Sequence, residues 1–145
     1  QGMKADKELK FVIPGGISTS LLRKDQLDIP YSLEDIENGG SGLGSGAVIV
    51  VGEDHDLFDL MLNVSRFFMD ETCGTCFPCR EGNRQINRMI KKAESGFNEE
   101  QKELITDIGN TIRLAARCGL GQSSLNFIKS VLDNYEDELM VGGDR

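Results

Sequence analysis

No apolar run in the 145-residue chain approaches the roughly 20 residues that span a bilayer, so direct membrane insertion is not expected. Basic side chains are scarce: 16 lysines and arginines stand against 24 aspartates and glutamates, a formal net charge of -8. That balance argues against a general binder of nucleic acid or anionic membrane, since both need a basic surface. Histidine is reduced to His55, which sits between two aspartates and reads as surface or cap structure rather than as a metal ligand. Internal repeats and long low-complexity segments are lacking, and nothing resembles a signal peptide, so a reducing, cytoplasmic setting is expected. The 39% hydrophobic content suffices to bury the core of one ordinary domain or two small ones.

Cysteine is scarce as well, and all four residues are spent on one pattern. Cys73, Cys76 and Cys79 follow one another at a stride of three, and Cys118 comes after 38 intervening residues. Thiolates hold [4Fe-4S] cubes in fours, and a C-x2-C-x2-C run with a remote fourth ligand is a common way of supplying them. Two intervening residues let the backbone fold around one corner of the cube and present the next sulfur to a neighbouring iron. Zinc is the competing reading, although structural zinc sites usually present two separated C-x2-4-C knuckles. A disulfide framework would suit a secreted chain and is the weaker alternative.

In chain order, Gln1-Gly2-Met3 reads as the remnant of a cleavable tag ahead of a start methionine. Phe11-Val12-Ile13 is a short β-prone run stopped by Pro14-Gly15-Gly16. Leu21-Leu22 and Ile29-Pro30-Tyr31 add short apolar pieces, and Leu33 to Glu37 is expected to form a brief helix capped by Ser32 with Asp35 at the third position. Glycines at 39, 40, 42, 44 and 46 then lead into Ala47 to Val51. A phosphate-cradling loop is disfavoured by the order, because nucleotide fingerprints run strand, glycine loop, helix. The glycines here precede a strand, whose continuous apolar character predicts burial on both faces.

From residue 55 the periodicity becomes helical. Asp56 is placed to cap a helix with Leu57, Leu60, Met61, Val64 and Phe68 on one face. A second helix is expected from about Cys79, with Ile86, Met89, Ile90 and Ala93 inward, ending at Ser95-Gly96. Asn98 and Gln101 form a capping box for a third, with Leu104, Ile105, Ile108, Ile112 and Ala115 inward. Cys118-Gly119-Leu120-Gly121 reads as a turn before a fourth helix from Ser123 or Ser124 through Leu139. Four amphipathic helices with short connections predict a small bundle. In an up-and-down bundle the connection carrying Cys73, Cys76 and Cys79 and the one carrying Cys118 emerge at the same end, so both loops can hold one cluster. Of the nearby arginines, Arg80 and Arg117 each adjoin a ligand and are placed to raise a cluster's potential, whereas Arg84 and Arg88 read as a solvated face.

The run Glu71-Thr-Cys73-Gly-Thr-Cys76-Phe-Pro-Cys79-Arg80-Glu-Gly82, followed by Cys118-Gly-Leu-Gly121, resembles the C-terminal part of the NADH-binding flavoprotein subunit of respiratory complex I. It is similar also to that subunit's relatives in NAD-linked hydrogenases and formate dehydrogenases. The glycine-rich segments Phe11-Val-Ile-Pro-Gly-Gly-Ile-Ser18 and Gly42-Leu-Gly-Ser-Gly-Ala-Val-Ile-Val50 resemble the family's soluble ligand-binding β-grasp (SLBB) domain. The Cys-Gly-Leu-Gly-Gln stretch at Cys118 leans toward the hydrogenase branch.

The resemblance implies an α+β, mainly α fold: a partial β-grasp segment over residues 4–54, then a four-helix bundle over 55–145 that carries the cluster. It implies a [4Fe-4S] cluster on Cys73, Cys76, Cys79 and Cys118, with FMN and NAD bound by a preceding flavin domain that the chain does not contain. Implied partners are that flavin domain and other iron-sulfur subunits of a multisubunit oxidoreductase, cytoplasmic or peripheral to a membrane complex. The chain alone is then expected to relay electrons and not to oxidise NADH. The alternative is a zinc-stapled helical interaction module without redox activity.

Overall fold

The computed structural model describes residues 7–93 and 95–141, and the chain divides after Asp56 into two compact units. The expected tag remnant at residues 1–3 lies outside the described residues.

The first unit is built on a three-stranded antiparallel sheet in the order β2-β1-β3. Strand β1, Leu9–Ile13, is central, and its alternate residues Phe11 and Ile13 are buried. Strand β2, Leu22–Arg23, is only two residues long, too short for a sequence pattern to announce; buried Leu22 pairs with Val12. Helix α1, Leu33–Asn38, starts as its sequence predicts, with the Ser32 hydroxyl accepting from the Asp35 backbone N–H at 3.1 Å. The Tyr31 hydroxyl donates to the Pro14 carbonyl at 2.6 Å and ties the entry of α1 to the end of β1.

Strand β3, Ile49–Gly52, corrects one expectation. Val51 is buried, but Val50 is 46% exposed and Val48 is also exposed, so the segment is not covered on both faces. The cause is its place at the edge of a small sheet, where alternation rather than continuous burial governs. Two of the glycines before it, Gly42 and Gly44, pack closely on the backbone at Gly15. A Cβ on Gly44 would lie 2.2 Å from the Gly15 carbonyl oxygen, and one on Gly15 would lie 2.3 Å from that of Gly42. Gly44 also has φ of +43°, a conformation other residues rarely take.

The second unit is helical. Helix α2, Leu57–Glu71, buries Leu57, Met61, Val64 and Phe68 of the expected face, each contributing about 1.5–3 kcal/mol through removal from water, while Leu60 is only half-buried. Helix α3, Phe77–Lys92, begins two residues earlier than expected. Pro78 lies in its first turn, where a missing N–H costs nothing and the fixed φ suits the helix. Helix α4, Glu99–Ala115, has the predicted Asn98–Gln101 capping box. Its inward stripe differs from the expected one at both ends: Leu104 is 46% exposed and Ala115 is exposed, while Gly109 is buried.

The remaining segment departs furthest from expectation. Cys118 to Gly121 is not a turn; Cys118 caps the short helix α5, Gly119–Ser123. The anticipated single fourth helix is split into α6, Asn126–Asn134, and α7, Glu136–Leu139, because Tyr135 leaves helical geometry at φ -130°, ψ 39°. Met140 then forms an isolated bridge to Phe97, and Phe97 stacks on Phe58 with ring centroids 5.1 Å apart. Gly96, at φ +107°, makes room for this return: a Cβ there would lie 2.7 Å from the Val141 nitrogen.

Helix α3 is the middle of the unit, packed on α2 and on α4. Buried Asn87 of α3 donates to the Ser65 hydroxyl of α2 at 2.9 Å. Gly82 of α3 lies against Ile108 and Ile112 of α4, and Gly109 of α4 lies against Leu125.

The Gly109 contact yields a stability prediction. A Cβ at that position would approach Leu125 side-chain atoms to 2.1 Å. Gly109→Ala is expected to lose about 1–3 kcal/mol by overpacking, against a gain of about 1 kcal/mol in helix propensity. Gly119→Ala, where nothing lies within 4 Å, is the reference. Urea unfolding should give a lower midpoint for the first and an equal or higher one for the second. Equal stability in both would show that Leu125 does not seat on Gly109.

Candidate metal centre

The cysteines occupy two connections that the helix packing brings to one end of the second unit. Cys73 and Cys76 lie between α2 and α3, and Cys79 is in the first turn of α3. Cys118 lies between α4 and α5. The approach of the two connections is direct: a Cβ on Gly121 would lie 3.2 Å from the Cys79 sulfur and 2.5 Å from the Ala116 Cβ. Only a residue without a side chain lets α5 come this close to Cys79. Sequence places Gly121 in the motif, but its contact with a thiol emerges only from the packing.

The local backbone explains why both helices start at cysteines. Cys76 and Cys118 are the N-cap residues of α3 and α5, each extended, and neither uses its side chain as a cap. Thiols are weak acceptors, so serving as an N-cap gains them little. They therefore stay available at the ends of two helices whose dipoles favour negative charge.

All four cysteines are free of disulfides. Cys73 and Cys118 are exposed, Cys76 is half-buried, and Cys79 is 5% exposed. The Cys73 thiol donates to the Thr75 hydroxyl at 3.4 Å. Hydrogen bonding by the Thr75 side chain and backbone to the thiolate holds Cys73 below the ordinary thiol range. Cys79 has two neighbours that sequence reasoning does not single out. The Thr72 hydroxyl lies 3.4 Å from its sulfur, and Asn83, buried one turn along α3, donates to its carbonyl at 2.9 Å and approaches its sulfur at 3.5 Å. An asparagine four positions after a cysteine, on the face of α3 that also carries Ile86, Asn87 and Ile90, is the available signal.

The arginines divide as expected between a solvated face and the cysteine loops, and Arg80 has a bracing role besides. Arg80 donates to the Gly74 carbonyl at 2.7 Å and to Glu81 at 2.8 Å, and its guanidinium lies over the Phe77 ring at 5.6 Å. It cross-braces the cysteine loop. The same bond from Arg80, with further help from Arg84 and Arg88, holds the Glu81 carboxyl below its usual range. The charge of Arg80 is thus partly neutralised by a neighbour. Arg84, which also pairs with Glu81, and Arg88 lie on the exposed face of α3. Arg117 adjoins Cys118 and is exposed. His55 is exposed and lies 3.4 Å from an Asp54 oxygen, far in character from a buried ligand.

Among the described residues, no three side chains of histidine, cysteine, aspartate or glutamate converge closely enough to hold a metal ion. The donor set nonetheless fits an iron-sulfur cluster in kind: four thiols and no competing carboxylate ligand set, on loops brought together by the Gly121 contact. A cluster several ångströms across needs its ligands spread around it, whereas a single tetrahedral ion needs them drawn to about 2.3 Å from one point.

Comparisons with known proteins agree with this end of the molecule. The family described as the NADH-ubiquinone oxidoreductase-F iron-sulfur binding region matches residues 59–141. The F subunit of NADH-quinone oxidoreductase from Mycobacterium tuberculosis (strain ATCC 25618 / H37Rv) is 31% identical over 141 residues, covering 97% of this chain and 32% of that protein. Its namesake from Rickettsia typhi is 32% identical over 133 residues, covering 90% and 31% respectively. Among solved structures, NAD+-reducing [NiFe]-hydrogenase in the H2-reduced state aligns with a TM-score of 0.81 at 26% identity, covering 95% of this chain and 24% of that one. The chain spans about a third of the length of the curated relatives it matches. With more than half of its residues matched, the chain belongs to the NADH-ubiquinone oxidoreductase-F iron-sulfur binding family.

Proposed function

We propose that this chain is the electron-relay part of an NADH:acceptor oxidoreductase flavoprotein subunit. In this reading Cys73, Cys76, Cys79 and Cys118 hold a [4Fe-4S] cluster. The observation that carries it is the close approach of Gly121 to the Cys79 sulfur, which unites the two cysteine loops within the segment the family covers. A bound [4Fe-4S] cluster supplies a one-electron carrier. Electrons reach it from FMN, reduced by NADH in a preceding flavin domain, and leave toward iron-sulfur partners of a multisubunit complex. The chain itself oxidises no NADH. Among its described residues no helix is long and apolar enough to cross a membrane, in keeping with a cytoplasmic or membrane-peripheral place.

The chain's own residues supply holding and shielding. Cys79 offers its sulfur from a buried position, which excludes water from one side, while Cys73 and Cys118 face solvent and close the other. Arg80 fixes the loop between Cys73 and Cys76 through the Gly74 carbonyl. The N-termini of α3 and α5 place peptide dipoles favourably for an anionic centre. Residues 4–54 are read as a partial β-grasp segment of the SLBB type, and 55–145 as the cluster-binding unit.

Protein purified without oxygen is expected to carry about four iron and four acid-labile sulfide per chain, with an electron paramagnetic resonance signal after dithionite. Cys76→Ser should abolish or strongly reduce both. About one zinc per chain, without sulfide even after attempted reconstitution, would instead establish a structural staple.

Cysteine reactivity gives a second prediction. With metal removed by chelation, exposed Cys73 should be alkylated by iodoacetamide sooner than buried Cys79, because a lowered pKa enlarges its thiolate fraction near neutral pH. Lowering the pH should therefore slow Cys73 less than an ordinary exposed thiol. After cluster loading all four should be protected. Continued rapid alkylation of Cys73 or Cys118 in iron- and sulfide-loaded protein would remove that residue from the ligand set.

A further inference from the structure

We infer that Asn83 is a positioning residue that raises the reduction potential at Cys79, by holding a side-chain N–H against the Cys79 sulfur with the Thr72 hydroxyl as a second contact. The inference rests on the reading of Cys79 as a cluster ligand and adds a residue outside the cysteine set.

Asparagine is a poor choice for a helix interior, because its amide competes with the backbone in non-helical conformations. Burying an amide is also unfavourable unless it is bonded. Asn83 is nevertheless 3% exposed inside α3. Its Nδ2 lies 2.9 Å from the Cys79 carbonyl oxygen and 3.5 Å from the Cys79 sulfur. A carbonyl only accepts, so this bond settles which end of the amide faces Cys79: the NH2 group, with its second hydrogen available to the sulfur. The Thr72 hydroxyl, 3.4 Å from the same atom, reaches it from the connection after α2.

Asn87 supplies an internal contrast. It is equally buried one turn further along α3, but it donates to the Ser65 hydroxyl of α2 and has the character of scaffold. Of the two buried asparagines, the one beside the thiol is the one aimed at sulfur. Hydrogen-bond donors to a cluster's sulfurs stabilise the more negative, reduced state and so raise the potential. Water access does the same at exposed cysteines. Cys79 is shut off from solvent, so Asn83 and Thr72 supply there what water supplies elsewhere.

The test is a potentiometric titration of anaerobically loaded protein, read by the reduced-state paramagnetic signal, alongside iron and sulfide analysis. Asn83→Leu removes the donor at similar volume. It is expected to lower the midpoint so that the reduced-to-oxidised ratio at a fixed potential falls up to about tenfold, equivalent to about 59 mV for one electron. Thr72→Val should shift it the same way by less, and it leaves the bond to the Cys79 carbonyl intact. Asn87→Leu should lower the thermal midpoint and leave the potential where it was. In wild-type protein labelled with 15N-asparagine, pulsed spectroscopy of the reduced cluster should detect nitrogen coupling that Asn83→Leu removes. That coupling decides the matter even if the leucine variant fails to fold, since its absence from the wild type would overturn the inference. Unchanged potentials in loaded Asn83→Leu and Thr72→Val proteins would overturn it as well and leave the ligand assignment standing. Wild-type protein that takes up no iron and sulfide would sink the ligand reading and this inference together.

Discussion

Four thiols carried on two separate connections can serve one centre only if the helices beneath them keep their ends in register. That register is set by α3, which is gripped on one side by α2 and on the other by α4. The contacts that fix it are of different kinds. A buried amide-to-hydroxyl bond joins Asn87 to Ser65, and glycine permits close approach at Gly82. Hydrogen bonding is directional and van der Waals contact is short-ranged, so together they resist sliding of α3 along its axis. A slip by one turn, about 5.4 Å, would carry Cys79 away from Gly121.

Much of this is readable from residue types. The stride of the three cysteines, the capping box at Asn98, the cap at Ser32 and the inward face of α2 each rest on local rules, and local rules act within a few residues. What escapes depends on partners far along the chain. Leu104 reads as inward because periodicity alone cannot tell which part of an apolar stripe receives a neighbour. Gly109 has no place in the expected stripe, yet Leu125 occupies the space its missing side chain leaves.

The segment after Cys118 misleads for another reason. Its two glycines suggest a turn, but Gly121 is there for proximity to Ala116 and Cys79, and the backbone remains helical around it. Likewise, Gly42 and Gly44 before β3 lie against Gly15. In both places glycine signals closeness to another part of the chain more than local flexibility. The break at Tyr135 carries no proline or glycine to announce it. The polar neighbours of Cys79 are visible in sequence as Thr72 and Asn83, yet only the packing of α3 shows that both reach the same sulfur.

The end of the unit opposite the cysteines has its own closure. Phe97 stacks on Phe58, exchanges backbone hydrogen bonds with Leu139 and Val141, and lies beyond the C-terminus of α3. The sixteen-residue α3 separates that knot from the thiols by about 24 Å. The helical hairpins are therefore clasped at the far end by the polypeptide itself, and a group held by the cysteines would join helices already tied together there. Such a group would add stability by mass action without being the sole link that makes the helices one body.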